Sequence, residues 1–216
     1  MILPFRSDAD VDQIADLVRA HLDANYSLAY PTETVYGLGS FANAVALERL
    51  AGLKGRPAGK PLLLLVDGLE MLAAVGLSLS TAARVLAREF WPGPLTLVLR
   101  GGEGRLPDLL RGPEGGIAVR WTSHRAVARL LGHLRQPLTS TSANRPGRAT
   151  APGPEAIAQS FPEAVASGEL LVLDGGTLGN VPPSTLVDCT GPVPRLIREG
   201  AIPRRELRRR AGSSAP

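Results

Sequence analysis

Only two lysines occur in this chain of 216 residues, against 22 arginines, and both, Lys54 and Lys60, fall within the stretch LKGRPAGKPLLLLV (53–66). Other scarcities set limits. A single cysteine, Cys189, excludes an internal disulfide. Three histidines (His21, His124 and His133), with no close pairing among them, supply no dedicated zinc set. The longest aliphatic run, 62–66, is far too short to cross a bilayer. Residues 1–5 lead straight into Arg6, Ser7 and Asp8, without an apolar segment of signal-peptide length. The expectation is a cytoplasmic protein with no membrane partner and no protein-held metal.

What is present is ordinary for a folded chain: 44% hydrophobic and 20% charged residues, enough to bury a proper core. With 24 glycines and 19 prolines, sharp turns should be frequent. The net charge of +4 is unevenly placed. Residues 195–216 carry seven arginines (195, 198, 204, 205, 208, 209 and 210) against Glu199 and Glu206, so the other 194 residues sum to −1. A basic end of this kind is either an RNA contact or a solvated helix with a frayed tail.

Hydrophobic spacing predicts a helix over 8–25, with Val11, Ile14, Ala15, Val18 and Leu22 on one face and Asp8 or Asp10 as N-cap. SLAYP reads as a buried strand and TETVYGLGS as a loop. A helix over 43–53 is capped by Asn43, and PLLLLV is a strand covered on both faces. Helices follow near 69–75 and over 81–90, the second capped by Ser80. LTLVLR and IAVRW are strands, Ser123 caps a helix to Leu134, and PLTST is a strand feeding SANRPGRAT. A helix over 154–161, the strands LLVLDGG, STLVDC and PRLIR, and a short helix over 204–210 complete the chain. Helices and strands alternate, then strands cluster. The expected fold is a three-layer α/β domain with a twisted mixed sheet and helices on both faces, spanning 1–203, with 204–216 as an Arg-rich helix and tail. Ligands in such sheets sit beyond strand ends, where loops converge.

Three loops could carry chemistry. KGRPAGKP places Lys54, Arg56 and Lys60 within seven residues. It lacks P-loop spacing, but compact ammonium groups and a planar guanidinium suit several oxygens of a polyphosphate, and a solvated surface loop is the alternative. STSANRPGRAT offers hydroxyls, an amide and turn backbone, either as a phosphate or ribose lining or as local Asx-turn bonding. In YPTETVYGLGS, Glu33 is either a general base or an acceptor for nearby backbone, and Gly37 and Gly39 allow close backbone approach. Trp91 is expected to pack beneath the turn FWPGPLT, Cys189 to sit in the core and His124 to lie at the surface. No Ser–His–Asp arrangement can be built.

Taken in order, PTETVYGLG, KGRPAGKPL, WPGPLT, AVR, TSAN, PSTLVD and LIREG follow the YrdC-like family, and from about Ala29 to Ile202 the chain resembles its threonylcarbamoyl-AMP synthases. The resemblance implies a single α/β domain with a wide positive cleft. It implies a nucleotidyltransferase reaction in which L-threonine, bicarbonate and ATP yield threonylcarbamoyl-AMP and pyrophosphate. The product would serve a separate transferase complex that modifies a tRNA adenosine beside the anticodon, with tRNA itself a candidate partner. Carried over residue by residue, Lys54, Arg56, Ser142 and Asn144 would meet ATP. Lys60, Thr150 and Arg198 would add nucleotide contacts. Lys54 and Arg56 would be catalytic, stabilising the departing pyrophosphate. Thr34, Arg120, Ser140 and Ser184 would form the threonine pocket. Magnesium would ride on the triphosphate. Three positions depart from relatives: Leu65 where some have His, Gly116 where others place a hydroxyl, and Pro183 where some have Glu. The chain ends fourteen residues after Ile202, as expected of a short, single-domain form. Two other readings compete: a module of the same fold that binds double-stranded RNA or tRNA without adenylate synthesis, and a maker of carbamoyl adenylates for metal-centre maturation.

Overall fold

Alternating apolar and polar segments become ten strands and eight α-helices among the residues described by the computed structural model, which are 1–55, 62–212 and 215–216. The strands are β1 (Ile2–Pro4), β2 (Ser27–Tyr30), β3 (Gly37–Gly39), β4 (Leu63–Val66), β5 (Leu95–Leu99), β6 (Ile117–Trp121), β7 (Leu138–Ser142), β8 (Leu170–Asp174), β9 (Thr185–Asp188) and β10 (Arg195–Arg198). The helices are α1 (Asp8–Asp23), α2 (Ala44–Lys54), α3 (Leu69–Ala74), α4 (Thr81–Phe90), α5 (Arg125–Leu134), α6 (Pro154–Ser160), α7 (Pro162–Ala166) and α8 (Arg204–Ala211).

Helix α1 forms because its five apolar positions fall on one face, and all five are buried. Its cap is Ser7, not Asp8 or Asp10. Ser7 Oγ accepts from the Asp10 amide at 3.1 Å while Asp10 Oδ2 accepts from the Ser7 amide at 2.8 Å, a reciprocal capping box. At α5 the expected cap, Ser123, is displaced by His124, whose Nδ1 accepts from the Val127 amide. The His124 ring stacks on Phe5 and is half-buried rather than fully at the surface; burial lowers its pKa, which favours the neutral imidazole that accepts here. Helices α1 and α5 pack together, tied at the surface by Asp8–Arg125 and by Asp12 with Arg129 and His133.

The strands join in the order β1-β8-β2-β3-β7-β4-β6-β5-β9-β10. Parallel pairs (β1–β8, β2–β8, β4–β6, β5–β9) and antiparallel ones (β2–β3, β3–β7, β4–β7, β5–β6, β9–β10) occur together, so the sheet is mixed. Strand β2 and the first four residues of β8 are buried and sit beneath packed helices, α1 and α2 on β2, α6 and α7 on β8. Each large aliphatic side chain sequestered there contributes roughly 1.5–3 kcal/mol. TETVYGLGS does not remain a loop: 37–39 pairs with both β2 and β7. A side chain at Gly39 would put its Cβ 1.8 Å from the Thr139 carbonyl oxygen, so only glycine lets β3 lie this close to β7. Strand β1 and helix α7 are additions to the sequence expectation; both are short and have no pattern of their own.

Trp91 does pack under its turn. It is buried, its indole N–H donates to the Leu95 carbonyl at 2.7 Å, and the Trp91–Pro92 peptide is cis. Helix α8 is docked on α4: Leu207 is buried and the Arg210 guanidinium lies 4.4 Å from the Phe90 ring centroid, while Arg204, Arg205, Arg208 and Arg209 face outward.

Candidate active site

Strand register builds the floor of the site. Across the sheet, Ser140 pairs with Leu63, Leu63 with Ala118, Ala118 with Val98, Val98 with Asp188, and Asp188 with Arg195. Laterally paired residues share a face. Gly37–Ser142 and Leu186–Arg198 add to the same surface. This face is open to a cleft of about 1020 Å³, lined also by the loops after β2 and β7 and by those that lead into β6 and β9. Nine of the eleven residues expected at the site line it: Lys54, Ser142, Asn144, Thr150 and Arg198 on the nucleotide side of the expectation, Thr34, Arg120, Ser140 and Ser184 on the threonine side. Arg56 and Lys60 lie outside the described residues.

Lys54 belongs to a helix, not to an exposed loop. It is the last residue of α2, which Gly55 ends in a left-handed conformation (φ 61°), and its side chain is buried. Its ammonium donates to the Ser142 carbonyl, to Ser142 Oγ at 3.3 Å and to Asn144 Oδ1 at 3.0 Å. Ser142 Oγ donates to Asn144 Oδ1 at 2.6 Å, and Asn144 Nδ2 donates to the Arg148 carbonyl at 2.6 Å, which fixes the amide. These acceptors orient the ammonium.

Two strands along, Arg120 projects from β6 and is buried. Its Nη1 donates to Thr34 Oγ1 at 3.1 Å. Thr34 is set by a hydroxyl turn: Thr32 Oγ1 accepts from the Thr34 and Val35 amides at 3.2 Å and donates to the Val35 carbonyl at 2.7 Å. Glu33 is neither bonded to backbone nor placed in the cleft lining. Its Oε2 accepts from Thr122 Oγ1 at 2.7 Å and its Oε1 lies 3.6 Å from Arg120 Nε. Further across, Ser184 Oγ and Thr96 Oγ1 are 2.8 Å apart, and Arg198 Nη2 donates to the Ser184 carbonyl at 2.9 Å. Burial, and then the positive charge of Arg120, lower the Arg198 pKa. Arginine stays charged, so two cations face one cavity and an anion between them would relieve both.

Thr96, Asp188 and Arg195 also line the cleft and were not singled out from sequence. Thr96 stands inside WPGPLT and Asp188 inside PSTLVD, so their motifs were visible while their orientation was not. Asp188 accepts from the Thr190 amide (2.9 Å) and hydroxyl (2.7 Å) and from Arg195 (3.0 Å). Burial works against its charge, but these bonds outweigh it and hold the carboxyl below its ordinary pKa. Of the departing positions, Leu65 is buried between Arg120 and Leu138 in register. A Cβ at Gly116 would fall 2.5 Å from Thr190 Cγ2 and 2.6 Å from Val98 Cγ1, so those side chains already fill the space of a hydroxyl there. Pro183 is exposed at the mouth, its carbonyl taking the Ala201 amide at 2.9 Å. Among the described residues no group of three or more His, Cys, Asp or Glu is placed to hold a metal ion, and no helix is long and apolar enough to cross a membrane.

A mixed sheet whose open face carries hydroxyls and buried cations around one cleft defines the class of α/β protein to which the chain conforms. Comparison with known proteins narrows the class. Residues 20–200 match the Sua5/YciO/YrdC family model, described as "Telomere recombination". The chain belongs to that family. It is 35% identical over 188 residues to the threonylcarbamoyl-AMP synthase of Pyrococcus abyssi, covering 86% of this chain and 53% of that one. It is 40% identical over 180 residues to the threonylcarbamoyl-AMP synthase of Thiobacillus denitrificans, covering 82% and 93%. The structure of P. abyssi Sua5 complexed with L-threonine superposes with a TM-score of 0.85 at 31% identity, over 99% of this chain and 61% of that one. The chain thus spans about half the length of the Pyrococcus relative and most of the Thiobacillus one.

Proposed function

We propose that this chain is an L-threonylcarbamoyladenylate synthase acting in the cytoplasm. Threonine amine and bicarbonate give an N-carboxylated amino acid with loss of water. A carbamate oxygen then attacks the α-phosphorus of ATP, the bond from that phosphorus to the bridging oxygen breaks, and pyrophosphate leaves with magnesium it carried in on the triphosphate. The product passes to a threonylcarbamoyl transferase complex acting on tRNA. The observation that carries this reading is the convergence of the Lys54–Ser142–Asn144 cluster and the Arg120–Thr34 cluster in one cleft, two strands apart.

Each cluster suits its task. Lys54, oriented by the Ser142 and Asn144 oxygens, is a preorganised cation for charge that builds as pyrophosphate departs. Arg56 and Lys60 would add to it. Arg120 presents a fork to the threonine carboxylate, and Thr34, Ser140 and Ser184 offer hydroxyls to its amine and hydroxyl. No side chain needs to act as a base, so positioning supplies most of the catalysis. The test is pyrophosphate release from ATP with threonine and bicarbonate omitted in turn. Release should require both; release indifferent to threonine rejects the proposal.

A further inference from the structure

The cleft is backed by two atoms that hydrogen bonding leaves unserved. Among the described residues, Glu33 Oε1 and Arg120 Nε are both buried and neither has a hydrogen-bond partner. They face each other at 3.6 Å, close enough for an ion pair and too far for a hydrogen bond. Their neighbours Glu33 Oε2 and Arg120 Nη1 are engaged, by Thr122 Oγ1 and Thr34 Oγ1. Leaving a buried donor and a buried acceptor unmade is costly, and native structures rarely do so without a reason.

The geometry points to Glu33 as the positioning residue for Arg120: it holds the guanidinium from behind so that its outer nitrogens are turned toward the cleft. This rests on the proposed function, in which Arg120 receives the threonine carboxylate. A guanidinium is planar, so contact at Nε and contact at the terminal nitrogens are not independent. A shift of well under 1 Å along the line from Nε to Oε1 brings the pair into bonding range. Glu33 is not among the residues that line the cleft. Its effect is on which ligands Arg120 accepts: those with a carboxylate over those without.

The distinguishing measurement is therefore a ratio. Binding of L-threonine and of L-threoninamide, which lacks only the carboxylate charge, is compared by calorimetry for the unaltered chain, Glu33→Gln and Glu33→Asp, each checked for folding by thermal melting. Glu33→Gln keeps the length and removes the charge; Glu33→Asp keeps the charge and shortens the reach, and it serves where the Gln variant does not fold. The expected result is a loss of about tenfold in threonine affinity in either variant with threoninamide changed less than twofold, and a raised threonine KM with the ATP KM unchanged. Equal weakening of both ligands would mean a purely structural role and overturns the inference, as does a threonine affinity within twofold of the unaltered chain. Threonine-dependent pyrophosphate release by the unaltered chain is measured alongside. Its absence overturns the functional proposal and this inference with it, whereas its presence beside an unchanged ligand preference in Glu33→Gln overturns this inference alone.

Discussion

Replacing Lys54 by methionine would isolate the charge on which the proposed nucleotide site depends. Methionine keeps an unbranched apolar stem of similar length where the lysine stem is buried and removes only the ammonium. Two costs follow. The Ser142 carbonyl and Asn144 Oδ1 lose a charged donor in a partly buried setting, worth about 1–3 kcal/mol of stability. For a domain of this size that is a fall in Tm of roughly 2–4 °C per kcal/mol. The catalytic cost is larger in consequence. A fixed cation about 4 Å from developing phosphate charge interacts at about 4 kcal/mol with an effective dielectric near 20. Loss of one preorganised donor costs about 2.7–4 kcal/mol elsewhere, or 10²–10³ in rate. Pyrophosphate release by Lys54→Met should therefore fall 10²–10³-fold in kcat while the chain melts cooperatively a few degrees lower. A kcat within fivefold of the unaltered chain, with the fold intact, would refute the assignment of Lys54 to the reacting phosphates.

Gly39→Ala should cost about 3 kcal/mol or more in urea unfolding, because the new Cβ meets backbone, the Thr139 carbonyl, rather than a movable side chain. The Asp12 carboxyl is held down at about 2 by Arg129 and then His133, from an ordinary value of 3.8. With the folded pKa depressed, its stabilisation is complete above pH 3.8 and is lost as pH falls toward 2. Asp12→Asn should flatten the stability profile in that window, and because the pair is exposed, high salt should shrink the difference. The Cys189 thiol is pushed up to about 12 by burial and then by the Asp188 charge, so at pH 8 a disulfide reagent should label it orders of magnitude more slowly in the folded chain than in guanidinium.

Much of this architecture was legible because its signals are local. The α1 stripe, the Asn43 and Ser80 caps and the apolar run before Val66 each report on a few residues and their own solvent exposure. The errors were local competitions the pattern could not rank: Ser7 over Asp8 or Asp10, and His124 over Ser123, where a half-buried ring outcompeted a hydroxyl one residue away. Strand β3 was invisible because three residues with two glycines carry no periodicity; pairing on both sides makes it a strand. In the site, motif order pointed to Arg120, Thr34, Ser142 and Asn144. It gave no sign that Lys54 closes a helix, that Glu33 stands behind Arg120, or that Arg195 reaches Asp188.

The sequence by itself determined where chain segments are helical or extended, which side of each is apolar, and which residue types gather in the loops, since these depend on neighbours within a turn or two. Only the tertiary structure decided that β7, β4, β6, β5 and β9 lie side by side with Ser140, Leu63, Ala118, Val98 and Asp188 in one row. Side chains alternate faces along a strand, so a slip of one residue in any pairing would turn its contribution away from the cleft. That choice is made by burial summed over the whole sheet, which no short stretch contains.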